Sequence, residues 1–573
     1  MCAAYAITAA SLPTALTQAQ AHPTPFERDT LASATYAEAV AFYSGLAAAY
    51  PGRCRLDTLG VSDAGVPLYA FSVGLPPDRG TPVFFVNNGI HAGEPAGVDA
   101  SMLVARWLAT DPAALGGWLD SAAVVIVPAY NVGGMLDRGG GTRANQVGPR
   151  EYGFRGNAHN LDLNRDFAKQ DSRNARALTR LLRRLQPDFF VDTHTTNGAD
   201  YAYALTVIAT QPDKLGPVLG PYLRDTVLPA LYAGVEAAGY PVSPYVYSPG
   251  APQETGILPF VDSPRYSSGY VALLHGLGFI TEAHMLKPFA TRVRATEAFL
   301  RTALGFWAEH RDDIARRRTA NREALFAADG TDLAWAVDSA RADTLTFRGY
   351  AVVREASAVT GAERLRYDRD RPTTTPTPYY SRARSVYGRP TPRAYVIPRG
   401  WAADLLPLLE VGGVQPARAL PADTLIEVEA GRIADYTTVD APYEGHYLHS
   451  GVSVDWSREP YRVEAGDYLL ELTPANHRLA TAMLEPAAPD SYFAWNTFDA
   501  YLQRKEHYSD YVFEDTAAQL LADDPQLRAA FSRKRDRDEG FRQNPRAQLD
   551  WLYERSGRAE EAYLRYPILR ISR

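Results

Sequence analysis

Cysteine is nearly absent: Cys2 and Cys54 are the only two in 573 residues, so the chain has no disulfide framework. A basic excess is missing too. The 59 Lys and Arg against 66 Asp and Glu leave a formal charge of −7, which argues against nucleic acid or an anionic membrane surface as the main partner. Basic residues do gather at Arg180–Arg184 and Arg316–Arg318, at the ends of helical stretches, where they read as solvated faces. Beyond the N-terminus no stretch is apolar over a length that spans a bilayer, so no stable membrane insertion is expected. No internal repeat of fixed period occurs. The glycine run Arg138-Gly139-Gly140-Gly141-Thr142 lacks the Gly-Lys-Ser/Thr ending of a phosphate loop.

Charge is also missing from the first 26 residues, which contain no Asp, Glu, Lys or Arg. Ala19-Gln20-Ala21 is a small-x-small site of the kind signal peptidases cut, although no basic segment precedes the apolar stretch. Residues 1–21 are therefore read as a leader and the protein as exported, periplasmic or secreted; without a leader it would be cytoplasmic.

What is present is an ordinary globular composition, 46% hydrophobic and 22% charged, in a chain too long for one core. From about 30 to 318, short apolar runs alternate with amphipathic helical stretches, the pattern of an α/β layer fold. Strands are expected at Leu68–Val73, Pro82–Asn88, Ala122–Pro128, Asp188–Thr195, Ala204–Ala209 and Gly278–Ala283. Helices are expected at Tyr36–Ala49, Gly97–Leu108, Ser172–Leu185, Val218–Ala238 and Phe289–Arg311. Several of these strands are apolar throughout, which requires both faces of the sheet to be covered. Residues 319–335 read as a linker, and Pro372–Pro392 is rich in Pro, Thr, Tyr and Arg; alternating runs such as Thr344–Val353, Thr424–Val428, Val452–Trp456 and Tyr468–Leu472 predict a β-rich module over 335–485. The last region, 486–573, is charged and mainly helical in period.

Four segments carry chemistry. Asn87-Asn88-Gly89-Ile90-His91-Ala92-Gly93-Glu94-Pro95 runs an apolar strand into a turn bearing His91 and Glu94 three residues apart. Zinc accepts imidazole nitrogen and carboxylate oxygen, and a catalytic site needs three protein ligands with a fourth position open. Phe189-Phe190-Val191-Asp192-Thr193-His194 is a second apolar strand ending in a histidine. Strand ends in such a sheet share one rim, where α/β folds build their sites. Asn160-Leu161-Asp162-Leu163-Asn164-Arg165 sets an amide beside a guanidinium, a pair suited to gripping a carboxylate. Gly278-Phe279-Ile280-Thr281-Glu282-Ala283-His284 places a carboxylate among apolar neighbours, where burial raises its pKa towards that of a general base.

Each segment alone has a bland reading as a loop, a sheet-edge histidine or a salt bridge. In this order they resemble the zinc metallocarboxypeptidase family, peptidase family M14, over roughly residues 35–315. The resemblance implies a mixed, mostly parallel central sheet with helices on both faces, one Zn(2+) per chain, and a peptide substrate with a free C-terminus. It also assigns roles. His91, Glu94 and His194 would bind the metal and Glu282 would be the general base. Arg155, in Gly153-Phe154-Arg155-Gly156, would polarise the scissile carbonyl. Asn164 and Arg165 would hold the terminal carboxylate, and Asp162 would orient His91. The family's substrate-facing tyrosine has two candidates here, Tyr266 and Tyr270, because the spacing to Glu282 is short. Arg265 would contact substrate or pin its loop, and His284 would line the cleft or support Glu282. Other chemistries on the same scaffold are a zinc deacylase and a cell-wall peptide hydrolase, and a different class is an inactive peptide-binding protein. Beyond residue 320, Glu429, His446 and His449 have no ligand spacing, so no second catalytic set is expected.

Overall fold

The computed structural model describes residues 23–78, 80–111, 117–196, 198–412 and 417–573. The expected leader lies outside the described residues. Among those described, no helix is long and apolar enough to cross a membrane.

The first half is built on eight strands: β1 (Cys54–Val61), β2 (Pro67–Gly74), β3 (Val83–Asn88), β4 (Ala123–Val127), β5 (Phe189–Thr196), β6 (Leu205–Ala209), β7 (Val242–Pro244) and β8 (Leu277–His284). They pair in the order β1-β2-β4-β3-β5-β8-β6-β7. The central β4-β3-β5-β8 run is parallel, while β1, β2 and β6 join antiparallel. The helices that position this sheet are α1 (Tyr36–Ala49), α2 (Ala96–Thr110), α3 (Arg173–Leu185), α4 (Ser267–Leu273) and α5 (Phe289–Ala327). Local signals start them: Thr35 and Glu38 form a reciprocal capping box at α1, and the Ser172 side chain caps α3.

Strands β3, β4 and β5 are buried at every position. Their side chains alternate between two cores. Phe84, Val86, Phe189 and Val191 pack with α1, α2 and α5, whereas Phe85 and Phe190 pack with α3 and α4. Helix α2 approaches β5 so closely that a Cβ at Gly97 would lie 1.9 Å from the Thr193 hydroxyl oxygen, so only glycine fits there. Strand β1 was not legible from its residues: it is an edge strand whose Arg55 and Asp57 interrupt the alternation.

The second half departs from the expected boundaries. The stretch read as a linker, 319–335, is helix through Ala327 and then strand β9 (Gly330–Val337). Helix α5 continues because its polar face is used inside the protein. Arg318 pairs with Asp188 and donates to the His275 and Gln186 carbonyls, and Asn321 bonds the Val218 and Leu219 amides and the Leu215 carbonyl. The Pro-rich stretch is also strand. β10 (Asp343–Ala356) pairs with β11 (Glu363–Tyr379), and β12 (Ala383–Pro390) pairs with β9. Prolines survive in β11 because the ribbon has two strands, and an outer edge needs no amide donor.

A six-stranded sheet follows, from β13 (Ala394–Ile397), β14 (Ala417–Ala419), β15 (Thr424–Thr438), β16 (His449–Val463), β17 (Tyr468–Glu471) and β18 (Leu569–Ile571). Its order is β14-β17-β13-β18-β15-β16. The mainly helical last region therefore ends in a strand that inserts between β13 and β15.

The two halves share one core. Leu178 and Leu182 of α3 and Tyr270 of α4 cluster with Tyr395, Leu405, Leu479 and Phe493. Buried arginines stitch the seam: Arg183 donates to the Pro407 carbonyl at 2.9 Å, and Arg478 donates to the Ala272 and Lys214 carbonyls at 2.7 and 2.8 Å. One face of the catalytic sheet is thus finished by the C-terminal half. A chain truncated after Arg318 should consequently expose the α3–α4 core and fail to give a soluble, cooperatively melting protein, as soluble yield and a thermal melt would show. A stable fragment would mean that this seam is dispensable.

Candidate active site

The site forms at the C-terminal ends of β3, β5 and β8. Gly89, at a φ of +70°, turns the chain sharply out of β3 and swings His91 and Glu94 over the rim. His194 stands at the end of β5, in register with Glu282 on the neighbouring parallel strand β8. Residues from four separate stretches converge on one cleft, which is lined among others by His91, Glu94, Arg155, Arg165, Tyr266 and Glu282.

The three expected ligands face one another. His91 Nδ1 lies 3.2 Å from Glu94 Oε1 and 3.2 Å from His194 Nδ1, and His194 Nδ1 lies 3.0 Å from Glu94 Oε2. The outer nitrogen of each ring meets a carboxylate: His91 Nε2 is 3.0 Å from Asp162 Oδ1, and His194 Nε2 is 3.1 Å from Asp192 Oδ2. With each outer carboxylate taking a ring N–H, both Nδ1 lone pairs would be left for a metal, beside a carboxylate oxygen. Ligands about 2.0–2.1 Å from a tetrahedral zinc sit about 3.3 Å apart, so the donor set fits the ion in chemistry and in spacing. This is also the only group of three or more metal-ligating side chains found among the described residues.

The surrounding charges are arranged to keep Glu94 ionised. Burial works against its charge, but Arg143, His91 and His194 outweigh it and hold the carboxyl well below its ordinary value. Its oxygens accept from Arg143 Nη1 at 2.6 Å and from the Thr195 amide at 2.9 Å. Glu282 goes the other way. Burial, only partly offset by His194, pushes it up to about 7. Two carboxylates in one cleft are thus set apart, one held ionised and one raised towards neutrality.

The remaining candidates fall in different places. Arg155 lies in the cleft, giving Asp162 Oδ2 a forked bond from Nε and Nη2 at 3.1 and 2.7 Å, with Nη1 3.3 Å from His91 Nδ1. Asn164 is buried and accepts from the Ser267 amide at 3.2 Å. The Arg165 guanidinium lies 4.6 Å above the Tyr266 ring centre, so Tyr266 belongs to the cleft. Tyr270 does not. It is fully buried, and its hydroxyl is bonded by Arg183 at 2.8 Å in the core shared by the two halves. His284 does not support Glu282 either: it stacks on Tyr201 and bonds Asp200 at 3.1 Å, because β8 turns that position towards 200–201. Arg265 pins its loop through Asp490 at 2.7 Å.

Several site residues were not singled out in the sequence. Asp192 had a usable signal, since it sits two residues before His194 and so on the same strand face. Arg143 had none, coming from an irregular glycine-rich loop. Tyr443 and Glu444 had none either: they lie about 280 residues from Arg165 and Asp162 yet bond both.

Residues 39–184 match the sequence profile of the zinc carboxypeptidase family, a span holding His91, Glu94, Arg155, Asn164 and Arg165. Carboxypeptidase 2 of Trichophyton tonsurans is 26% identical over 434 residues, covering 71% of this chain and 72% of that protein. Carboxypeptidase 2 of Trichophyton rubrum is 27% identical over 448 residues, covering 73% and 75%. These spans exceed the catalytic half, so the likeness runs into the C-terminal half. Among solved structures, carboxypeptidase A of Helicoverpa armigera matches with 15% identity and a TM-score of 0.38, covering 53% of this chain and 78% of that one.

The metal-ready donor set, the poised glutamate and these matches define a zinc-dependent hydrolase of peptide bonds. Over residues 39–184 the chain is similar to the zinc carboxypeptidase family, and over 71–73% of its length to fungal carboxypeptidases.

The purified protein should carry zinc, and His91→Ala or His194→Ala should strip most of it, by elemental analysis against protein concentration. Glu282→Gln should keep the metal. Full occupancy in either histidine variant would overturn the ligand set.

Proposed function

We propose that this enzyme removes the last residue from peptides with a free C-terminus, and that Arg165 and Asn164 hold the terminal carboxylate. The observation that carries this reading is the position of Arg165. It stacks on Tyr266 and lines the same cleft as His91, Glu94, His194 and Glu282. A peptide anchored there by its terminal charge has its last bond, rather than an internal one, over the ligands and Glu282.

His91, Glu94 and His194 would hold one zinc ion, which when bound would supply the acidification of a water and the polarisation of the carbonyl. Glu282, with a pKa near neutrality, takes the proton from the attacking water and returns it to the leaving amine. Arg155, half exposed and already against the ligands, donates to the carbonyl oxygen as negative charge grows there. Asp162 and Asp192 keep both imidazoles in the tautomer that leaves Nδ1 free. Arg143 holds Glu94 in place and ionised. Export through residues 1–21 remains part of the same proposal.

The cleft shares Ile208, Tyr245 and Phe260 with a neighbouring cavity that Leu228, Tyr232 and Tyr379 line. A terminal side chain directed there meets mostly apolar atoms. Release of C-terminal Leu or Phe should accordingly exceed release of Asp or Lys by one to two orders of magnitude in kcat/KM, about what one buried apolar side chain supplies. Profiling a mixed peptide library by mass spectrometry measures it, and equal release of charged ends would sink the assignment.

Amidating the peptide tests the clamp. It removes the charge that Arg165 pairs with, a loss on the order of 2–5 kcal/mol for a desolvated pair. Arg165→Met should lower kcat/KM for the free acid by several orders of magnitude and hardly change the amide, so the two losses do not add. Equal cleavage of acid and amide would point instead to a deacylase or an endopeptidase on this scaffold.

A further inference from the structure

The hairpin of β15 and β16 belongs to the C-terminal half, yet its tip, residues 439–448, rests on the catalytic half beside Arg165. Tyr443 Oη accepts a hydrogen bond from Arg165 Nε at 2.8 Å. One residue on, Glu444 Oε2 accepts from the Asp162 backbone amide at 2.7 Å. The tip is a tight turn, with reciprocal backbone bonds between Tyr443 and His446 of 2.8 and 3.0 Å. It is anchored from two sides. His446 Nε2 lies 2.7 Å from Asp171 Oδ2, and its Nδ1 lies 2.6 Å from Asn496 Oδ1. Arg265, held by Asp490, spreads over the rings of both Tyr443 and Trp495, at 5.7 and 5.0 Å from their centres.

These contacts determine which side of Arg165 a ligand can meet. A guanidinium offers two edges for a forked bond to a carboxylate, one containing Nε and one made of the two Nη groups. Tyr443 occupies Nε. The Tyr266 ring covers one face, and Nη1 also donates to the Asn164 carbonyl at 3.0 Å. Nη1 also lies 3.8 Å from Asp162 Oδ2, so what is left for a substrate is Nη2 with the second hydrogen of Nη1, on a residue that lines the cleft.

We propose that Tyr443 is a positioning residue for the peptide's terminal carboxylate: the hairpin tip of the C-terminal half sets the edge of Arg165 that the substrate meets. This rests on the reading of Arg165 as the carboxylate clamp. It makes the C-terminal half a working part of substrate recognition as well as a cover for the core, and it places Tyr443 beside a charge that a flexible arginine would otherwise present in several orientations.

Tyr443→Phe tests it in the full-length zinc enzyme, since the ring and its contact with Arg265 are kept while the hydroxyl is lost. KM for a free-acid peptide should rise about tenfold, the scale of one hydrogen bond to a charged group, with kcat, zinc content and melting temperature close to those of the parent. Amidated peptide should be cleaved as before, and in an Arg165→Met background the tyrosine substitution should have no further effect. Unchanged KM in Tyr443→Phe, with Arg165→Met still separating acid from amide, would overturn the positioning role and leave the clamp standing. A fall in kcat that is equal for acid and amide would overturn it as well, since general disruption of the site then accounts for the loss. If Arg165→Met itself fails to separate acid from amide, the clamp reading is the one that falls, and this inference falls with it.

Discussion

Two imidazole Nδ1 atoms 3.2 Å apart, with a carboxylate oxygen 3.0 Å from one of them, are the constraint on which the rest of the site depends. Three lone-pair donors held so closely need a cation between them, or protons that the outer carboxylates of Asp162 and Asp192 have already drawn to the far side of each ring. Burial leaves water unable to screen this convergence, so the neighbours must do it. Arg143 neutralises Glu94 from outside, and the Thr195 amide and the register of β5 hold the geometry. The same low-dielectric pocket raises Glu282, which has no cationic hydrogen-bond partner of its own, to about 7. One physical cause, desolvation, is therefore met by compensation at one carboxylate and left in force at the other.

The C-terminal half has a similar double standing. It covers the α3–α4 face of the catalytic sheet, which would otherwise present Leu178, Leu182 and Tyr270 to water. It also sends two ribbons onto the catalytic half. The β15–β16 tip reaches Arg165 and Asp162 on one side, while on the other Arg369 of the β10–β11 hairpin pairs with Asp200, the partner of His284. The candidate site of the first half and the hairpin tip of the second meet at Arg165 and Asp162.

Much of the fold was legible because burial on both faces writes a strong signal. Strands β3, β4 and β5 begin in or consist of apolar runs and are buried at every position, and six of the eight strands of the catalytic sheet lie where such runs predict. The misreadings have physical reasons. Edge strand β1 has one unpaired side and tolerates charge. The 319–335 stretch looks like a linker because its polar residues, Arg318 and Asn321 among the first of them, are turned inward to cap carbonyls and amides. Tyr270 resembles a cleft residue by spacing, but α4 rotates it into the core and leaves Tyr266 at the helix entry facing Arg165.

The site divides along the same line. Local sequence determined what is local: a His-x-x-Glu turn after a glycine, a histidine closing a buried strand, an Asn-Arg pair, and a glutamate on an apolar strand. Each is a residue type and a spacing, and side-chain chemistry follows from type. Tertiary structure alone decided which groups meet across long separations: Arg143 on Glu94, Asp192 shared between His194 and Ser267, and Tyr443 on Arg165. Such pairings leave no periodicity to read. They are set by how two halves of one chain pack over a common core, and that packing depends on the sum of many weak apolar contacts rather than on any short pattern of residues.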